Sequence, residues 1–174
     1  MKPPQITTSV RSVWRRGFTI IEAVVSTLIV GLMLAAALQT AASSVTTQAK
    51  LARRAQGRLL ADALMTEIVQ QNYEDPSGPV VFGPESGESA GLGRAQYDDV
   101  DDYDGYTETQ LQQKDGTASP DCSGWKRIVT VRWVTQANLA QTSVTETRVK
   151  RIIVEAQFNN ATAGTRTALR TKQQ

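Results

Sequence analysis

Arg15-Arg16-Gly17-Phe18-Thr19-Ile20-Ile21-Glu22 opens the main hydrophobic segment of the chain. The apolar run continues to Val45, and no charged residue occurs over the 26 positions from Ala23 to Gln48. A helix rising ~1.5 Å per residue needs ~20 apolar residues to cross a ~30 Å hydrocarbon core. The segment is therefore long enough to span a membrane, and Leu28, Leu32, Leu34, Leu38 and Ala35-Ala36-Ala37 favour the helical state.

The order of features is unusual. A secretory signal reads basic region, apolar region, then a small-residue cleavage site. Here the small residue, Gly17, precedes the apolar run and directly follows Arg15-Arg16. A cut after Gly17 removes the basic leader, keeps the apolar helix and makes Phe18 the new N-terminus. Glu22 then lies fifth from the end, where an unpaired carboxylate in a membrane is costly. The α-amino group created by the cut is its natural partner.

These residues resemble the class III signal of type IV pilins and type II secretion pseudopilins. That pattern is a short basic leader, Gly, then Phe-Thr-(Leu/Ile)-(Ile/Leu)-Glu and an apolar helix, and Gly17 to Glu22 match it without a departure. The resemblance covers about 30 residues. It implies a prepilin peptidase that cuts Gly17–Phe18 and N-methylates Phe18. It implies that Glu22 meets the Phe18 amine, of its own or a neighbouring subunit, during assembly. The implied partners are other pilin or pseudopilin subunits, an inner-membrane assembly platform and membrane lipid. The implied place is the bacterial inner membrane, N-terminus cytoplasmic and head exported, then a periplasmic or extracellular filament.

The division expected along the chain is a leader over 1–17, a membrane and filament-core helix over 18–48, its amphipathic continuation over 49–72, and a head over 73–174. The formal net charge is +2. Four of the 19 basic residues, Lys2, Arg11, Arg15 and Arg16, lie in the leader, so 15 remain against 17 acidic ones, a net −2. That balance offers no nucleic-acid surface, and no nucleic-acid partner is expected. The leader's charge fits a cytoplasmic N-terminus. Cys122 is the sole cysteine and there is no histidine, which leaves no zinc set and no His-dependent nucleophile. An enzyme is not expected. Two fates stand for Cys122, a free half-buried thiol or a bond to another subunit.

After Val45 charges appear, while Ala52, Ala55, Leu59 and Ala63 keep an apolar stripe, widened by Leu60, Leu64 and Ile68. The helix is expected to run from Phe18 to about Asn72, ~80 Å at ~1.5 Å per residue, and to stop at the Pro76 region. Gly57 reads as a tolerated weak point. The stretch 76–124 reads as a long loop with a short strand at Val80-Val81-Phe82 and turns at Gly83-Pro84, Ser86-Gly87 and Asp104-Gly105. Lys126–Val134 alternates, with Arg127, Val129, Val131 and Trp133 on one face. Val149–Phe158 is a second strand with Ile152, Val154, Ala156 and Phe158 on one side. Residues 159–164 read as a turn and Thr165–Thr171 as a third strand. The expected fold is α+β: the long helix, packed through Leu59, Ala63 and Leu64 on a three- or four-stranded antiparallel sheet.

Asp98, Asp99, Asp101, Asp102 and Asp104 place five carboxylates in seven positions. Acids with a Gly turn bind calcium through hard oxygens, but an EF-hand aligned on Gly105 puts Val100 at its first ligand position and Leu111 where the bidentate Glu belongs. The five aspartates are a candidate calcium site, set against a solvated turn or pairing with Arg127, Arg132 or Arg148. The run Asp99-Val100-Asp101-Asp102-Tyr103, with Leu60–Ile68, also resembles minor pilins of the mannose-sensitive haemagglutinin pilus system. The leading functional expectation is a minor pilin or pseudopilin. The alternatives are a filament-tip module for adhesion or DNA uptake, and a simple membrane-anchored domain. A tip module would need an exposed basic or aromatic patch, and Lys126, Arg127, Arg132, Arg148, Lys150 and Arg151 are expected to face solvent singly.

Overall fold

The computed structural model describes residues 17–76, 81–85, 88 and 93–173. Residues 1–16 of the expected leader, Val80 of the expected strand and the Ser86-Gly87 position of an expected turn lie outside them. One helix, α1 (Ile20–Val69), precedes five strands: β1 (Thr107–Glu108), β2 (Trp125–Thr135), β3 (Asn138–Thr142), β4 (Val149–Phe158) and β5 (Ala161–Thr171). The protein is α+β, a long N-terminal helix packed on a five-stranded antiparallel sheet. The chain divides into two compact units, one ending at Thr46 and one starting at Thr47.

In the first unit, Thr19 caps the helix. Its Oγ1 accepts the Glu22 backbone N–H at 3.3 Å, and its carbonyl accepts the Ala23 N–H at 3.1 Å. Thr19-Ile20-Ile21-Glu22 thus has the spacing of a capping box, with a carboxylate in the positive first turn. Every described residue up to Thr46 is exposed, Phe18 to 82% and Ile20 to 86%. The hydroxyls along this apolar stretch bond to carbonyls one turn back: Thr27 to Val24, Thr40 to Ala36, Thr46 to Ser43, each at 2.9 Å. A helix that satisfies its own polar groups in this way is suited to a medium without water. The helix is long and apolar enough to cross a membrane, and it continues unbroken through Gly31.

In the second unit, the buried face of α1 is Gly57, Ala61, Leu64, Met65 and Ile68. The expected stripe of Ala52, Ala55, Leu59 and Ala63 is exposed, Leu59 to 68%. A close approach selects the face. A Cβ built on Gly57 would lie 2.7 Å from the Ala163 Cβ, and one built on Gly164 would lie 2.5 Å from the Arg58 nitrogen. Gly57 and Gly164 let helix and β5 touch backbone to backbone. The leucines beside them, Leu60 and Leu64, are brought inward, while Leu59 turns out. Gly57 is therefore a contact point rather than a weak point.

β2 pairs with β4 from Trp125↔Phe158 to Trp133↔Lys150, which sets Val129 against Val154 and Val131 against Ile152. These form the core with Ala156, Trp125 and the helix face. β4 matches its expected span. β5 starts earlier than expected because Asn159 and Asn160, at φ +49° and +63°, make a two-residue turn. β1 and β3, which extend the sheet beyond four strands, carry too little alternation to be read: β1 has two residues, and all five of β3 are exposed. Val81 and Phe82 are not in a strand.

The segment before β2 does more than loop. Tyr97, Val100, Tyr103 and Leu111 are all buried in the core. The Tyr97 and Tyr103 rings meet edge to face at 4.9 Å, a favoured aromatic geometry. The helix ends at Val69, before Pro76, because Asn72 leaves it to pair with the acidic segment. Its N–H donates to the Asp98 carbonyl at 3.2 Å, and its carbonyl accepts the Val100 N–H at 3.1 Å.

The glycine contact makes a direct test. Gly164→Ala forces helix and β5 apart and should lower stability by ~1–3 kcal/mol. Urea unfolding followed by tryptophan fluorescence measures it, and an unchanged midpoint would contradict the close approach.

Candidate functional site

Two groups of residues carry chemistry. The first is the helix start. Gly17, Phe18 and Thr19 precede α1 as non-helical backbone, and all are exposed together with Glu22. A Cβ on Gly17 would meet nothing within 4 Å. The Gly17–Phe18 peptide bond is thus accessible. Glu22 sits one turn into the helix, its backbone N–H held by Thr19.

The second is the acidic turn, organised around a lysine. β4 alternates inward through Lys150, Ile152, Val154 and Ala156, and all four are buried. Lys150 is only 2% exposed. Its ammonium bonds Asp101 and the Tyr73 carbonyl and stands 4.3 Å above the Tyr73 ring. The expectation of a solvent-facing Lys150 is therefore corrected: the strand period points it inward, and a buried ammonium needs a carboxylate. Arg127 is likewise buried, paired with Glu108.

The five aspartates separate into different tasks. Asp101 takes Lys150. Asp104 pairs with Arg132 and accepts the Val131 N–H at 2.9 Å. Asp99 Oδ1 accepts the N–H groups of Asp101 and Asp102 at 2.7 and 3.2 Å. Asp102 Oδ2 accepts those of Asp98 and Asp99, each at 3.0 Å. Asp98 is half-buried beside them. Of the three arginines expected near these acids, Arg132 serves, while Arg127 goes to Glu108. Among the described residues, the carboxylates that converge as metal ligands would are Glu85, Glu88 and Asp102.

Burial and the neighbouring Asp101 and Asp102 charges raise the Asp99 carboxyl to about 8, with Lys150 opposing. Burial also raises Asp98 and Asp102, and burial with the Glu85 carboxyl raises Glu88 to about 7. This cluster has more buried negative charge than cations to meet it.

A neighbouring network is balanced, and sequence reasoning missed it. Arg94 Nε bonds Glu67 Oε1 at 2.7 Å, and its Nη1 bonds Glu108 Oε2 and the Tyr106 hydroxyl, each at 3.1 Å. The Tyr103 hydroxyl donates to Glu67 Oε1 at 2.9 Å. Arg127 completes it through Glu108 and the Gln112 carbonyl. Two arginines thus meet two glutamates, all satisfied, which is the arrangement of a structural staple. Its members lie far apart in sequence, Glu67 on α1, Arg94 on the segment before β1, Glu108 on β1 and Arg127 on β2, so no local period reveals them.

No family model matches the chain, and no curated protein or solved structure matches it.

Two measurements check the acidic turn. Lys150→Met strands Asp101 in the core and should lower stability by ~3–5 kcal/mol, with much of the loss restored by adding Asp101→Leu; strictly additive losses would contradict the pair. The pH response follows from the raised carboxyls. The folded state holds protons that the unfolded chain releases between about pH 4 and 8, so this contribution is lost as pH rises through that window. In chelator-containing buffer, lowering the pH from 8 to 6 should therefore stabilise the protein, and Asp99→Asn should flatten that slope. An equal slope in the variant would refute the assignment to Asp99.

Proposed function

We propose that the chain is a structural subunit, a minor pilin or pseudopilin, of a type IV pilus or type II secretion filament. The observation that carries this reading is the uncovered apolar helix, capped at Thr19 with Glu22 in its first turn and the Gly17–Phe18 bond exposed before it. A prepilin peptidase cuts that bond and methylates Phe18. The retained helix holds the subunit in the inner membrane, leader side cytoplasmic, until the assembly platform moves it into the filament.

Assembly on this reading is packing with a charge lock. Apolar helices bundle together, and Glu22 sets the axial register by pairing with a Phe18 amine. The exposed stripe of Leu51, Ala55 and Leu59 supports it, because the second unit leaves these apolar residues unused by its own sheet. Such a stripe is a surface for neighbouring subunits.

Glu22→Ala should leave the cut intact and reduce incorporation into sheared filaments by at least about tenfold, a loss of ~1.4 kcal/mol or more. Equal incorporation of mutant and wild type would contradict the charge lock. Gly17→Leu should block the cut by crowding the peptidase, and a mature Phe18 terminus in that variant would contradict the cleavage assignment.

A further inference from the structure

Asp102 is 1% exposed, and its carboxylate is only half used. Oδ2 holds two backbone amides, whereas Oδ1 is buried and without a hydrogen-bond partner. Glu85 Oε1 is also buried and without one. Glu88 completes the group: one carboxylate oxygen from each of Glu85, Glu88 and Asp102 lies within 4.8 Å of the other two. The Gly83 N–H donates to Asp101 Oδ2 at 3.3 Å, and the Glu88 N–H donates to the Glu85 carbonyl at 3.1 Å. These bonds hold Gly83 against Asp101 and Glu88 against Glu85.

The nearby cations are already committed. Lys150 is held by Asp101, and Arg132 by Asp104. Lone pairs buried without a donor are costly, and three converging carboxylates repel one another. Such a group is relieved by a proton or by a bound cation. A single proton shared between two of the carboxylates would satisfy that pair and leave the third oxygen unmet.

We propose that Glu85, Glu88 and Asp102 bind one hard divalent cation, calcium before magnesium. All three ligands are carboxylate oxygens, which suits hard ions. Calcium sits ~2.3–2.6 Å from its oxygens in irregular shells of ~6–8 ligands. Oxygens grouped this closely fit around such an ion, and half-buried Glu85 and Glu88 leave access for water to complete the shell. Magnesium demands near-octahedral geometry and gives up its water reluctantly. The bound ion ties Glu85 and Glu88 to the Asp101–Tyr103 turn, whose Asp101 pairs with Lys150. This site uses one of the five aspartates expected from the sequence and two glutamates that were not. It does not depend on the filament reading.

The test is calorimetric titration of the full-length, detergent-solubilised chain, stripped with chelator at pH 7.5. One calcium ion per chain should bind, with magnesium at least about tenfold weaker. Glu88→Gln and Glu85→Gln should each weaken calcium by at least about tenfold, since affinity follows ligand charge. Their far-UV circular dichroism should match wild type, which separates lost ligation from lost folding. Asp102→Asn is the harsher variant, because Oδ2 also holds backbone. No saturable calcium uptake, or uptake unchanged in both glutamate variants, would overturn the proposal. So would thermal stability that responds to pH but not to calcium, which would put a shared proton where the ion is proposed.

Discussion

An apolar helix surface with nothing to cover it cannot remain in water, and this constraint governs the first unit of the chain. Each Å² of such surface costs about 25 cal/mol when exposed, and the apolar side chains from Phe18 to Val45 are all exposed. The surface must be taken up by lipid, by other helices, or by both in turn. The side-chain hydroxyls of Thr27, Thr40 and Thr46 already turn back onto helical carbonyls, so little polar surface opposes that transfer. Glu22 is the exception, and its place in the first turn gives it the helix dipole as local support.

The second unit rests on a different contact. Gly57 and Gly164 let α1 and β5 meet at backbone distance. That approach decides which leucines enter the core and which remain outside. The leucines left outside matter as much as those inside, because Leu51 and Leu59 give the second unit an uncovered apolar surface of its own. The same helix thus holds its own sheet with one face and offers another.

Much of this was legible. A long charge-free run and two alternating strands are strong signals, and α1, β2 and β4 appear where these put them. The helix face was misread because Ala52, Ala55, Leu59 and Ala63 give an equally regular stripe. Only the contact at two glycines distant in sequence chooses between the two. Lys150 was misread for a related reason. Its strand period points inward, but a lysine reads as solvent-facing until Asp101 is found opposite it. The tyrosines at 97 and 103 lie in a segment without period, so their burial has no local signature. The acids were visible as a cluster, yet their division among backbone, Lys150, Arg132 and a converging group depends on where an irregular turn places each oxygen. The contrast with the Arg94–Glu108 network is instructive: there charges balance and every group is satisfied, whereas the acidic turn retains an excess that something must meet.

On the proposed reading the helix is kept while the leader is removed. Intact mass spectrometry of the membrane-extracted protein tests it most directly. The account predicts a chain beginning at Phe18 with one added methyl group on its amine. A chain beginning at Met1, or at a residue beyond Val45, would contradict it.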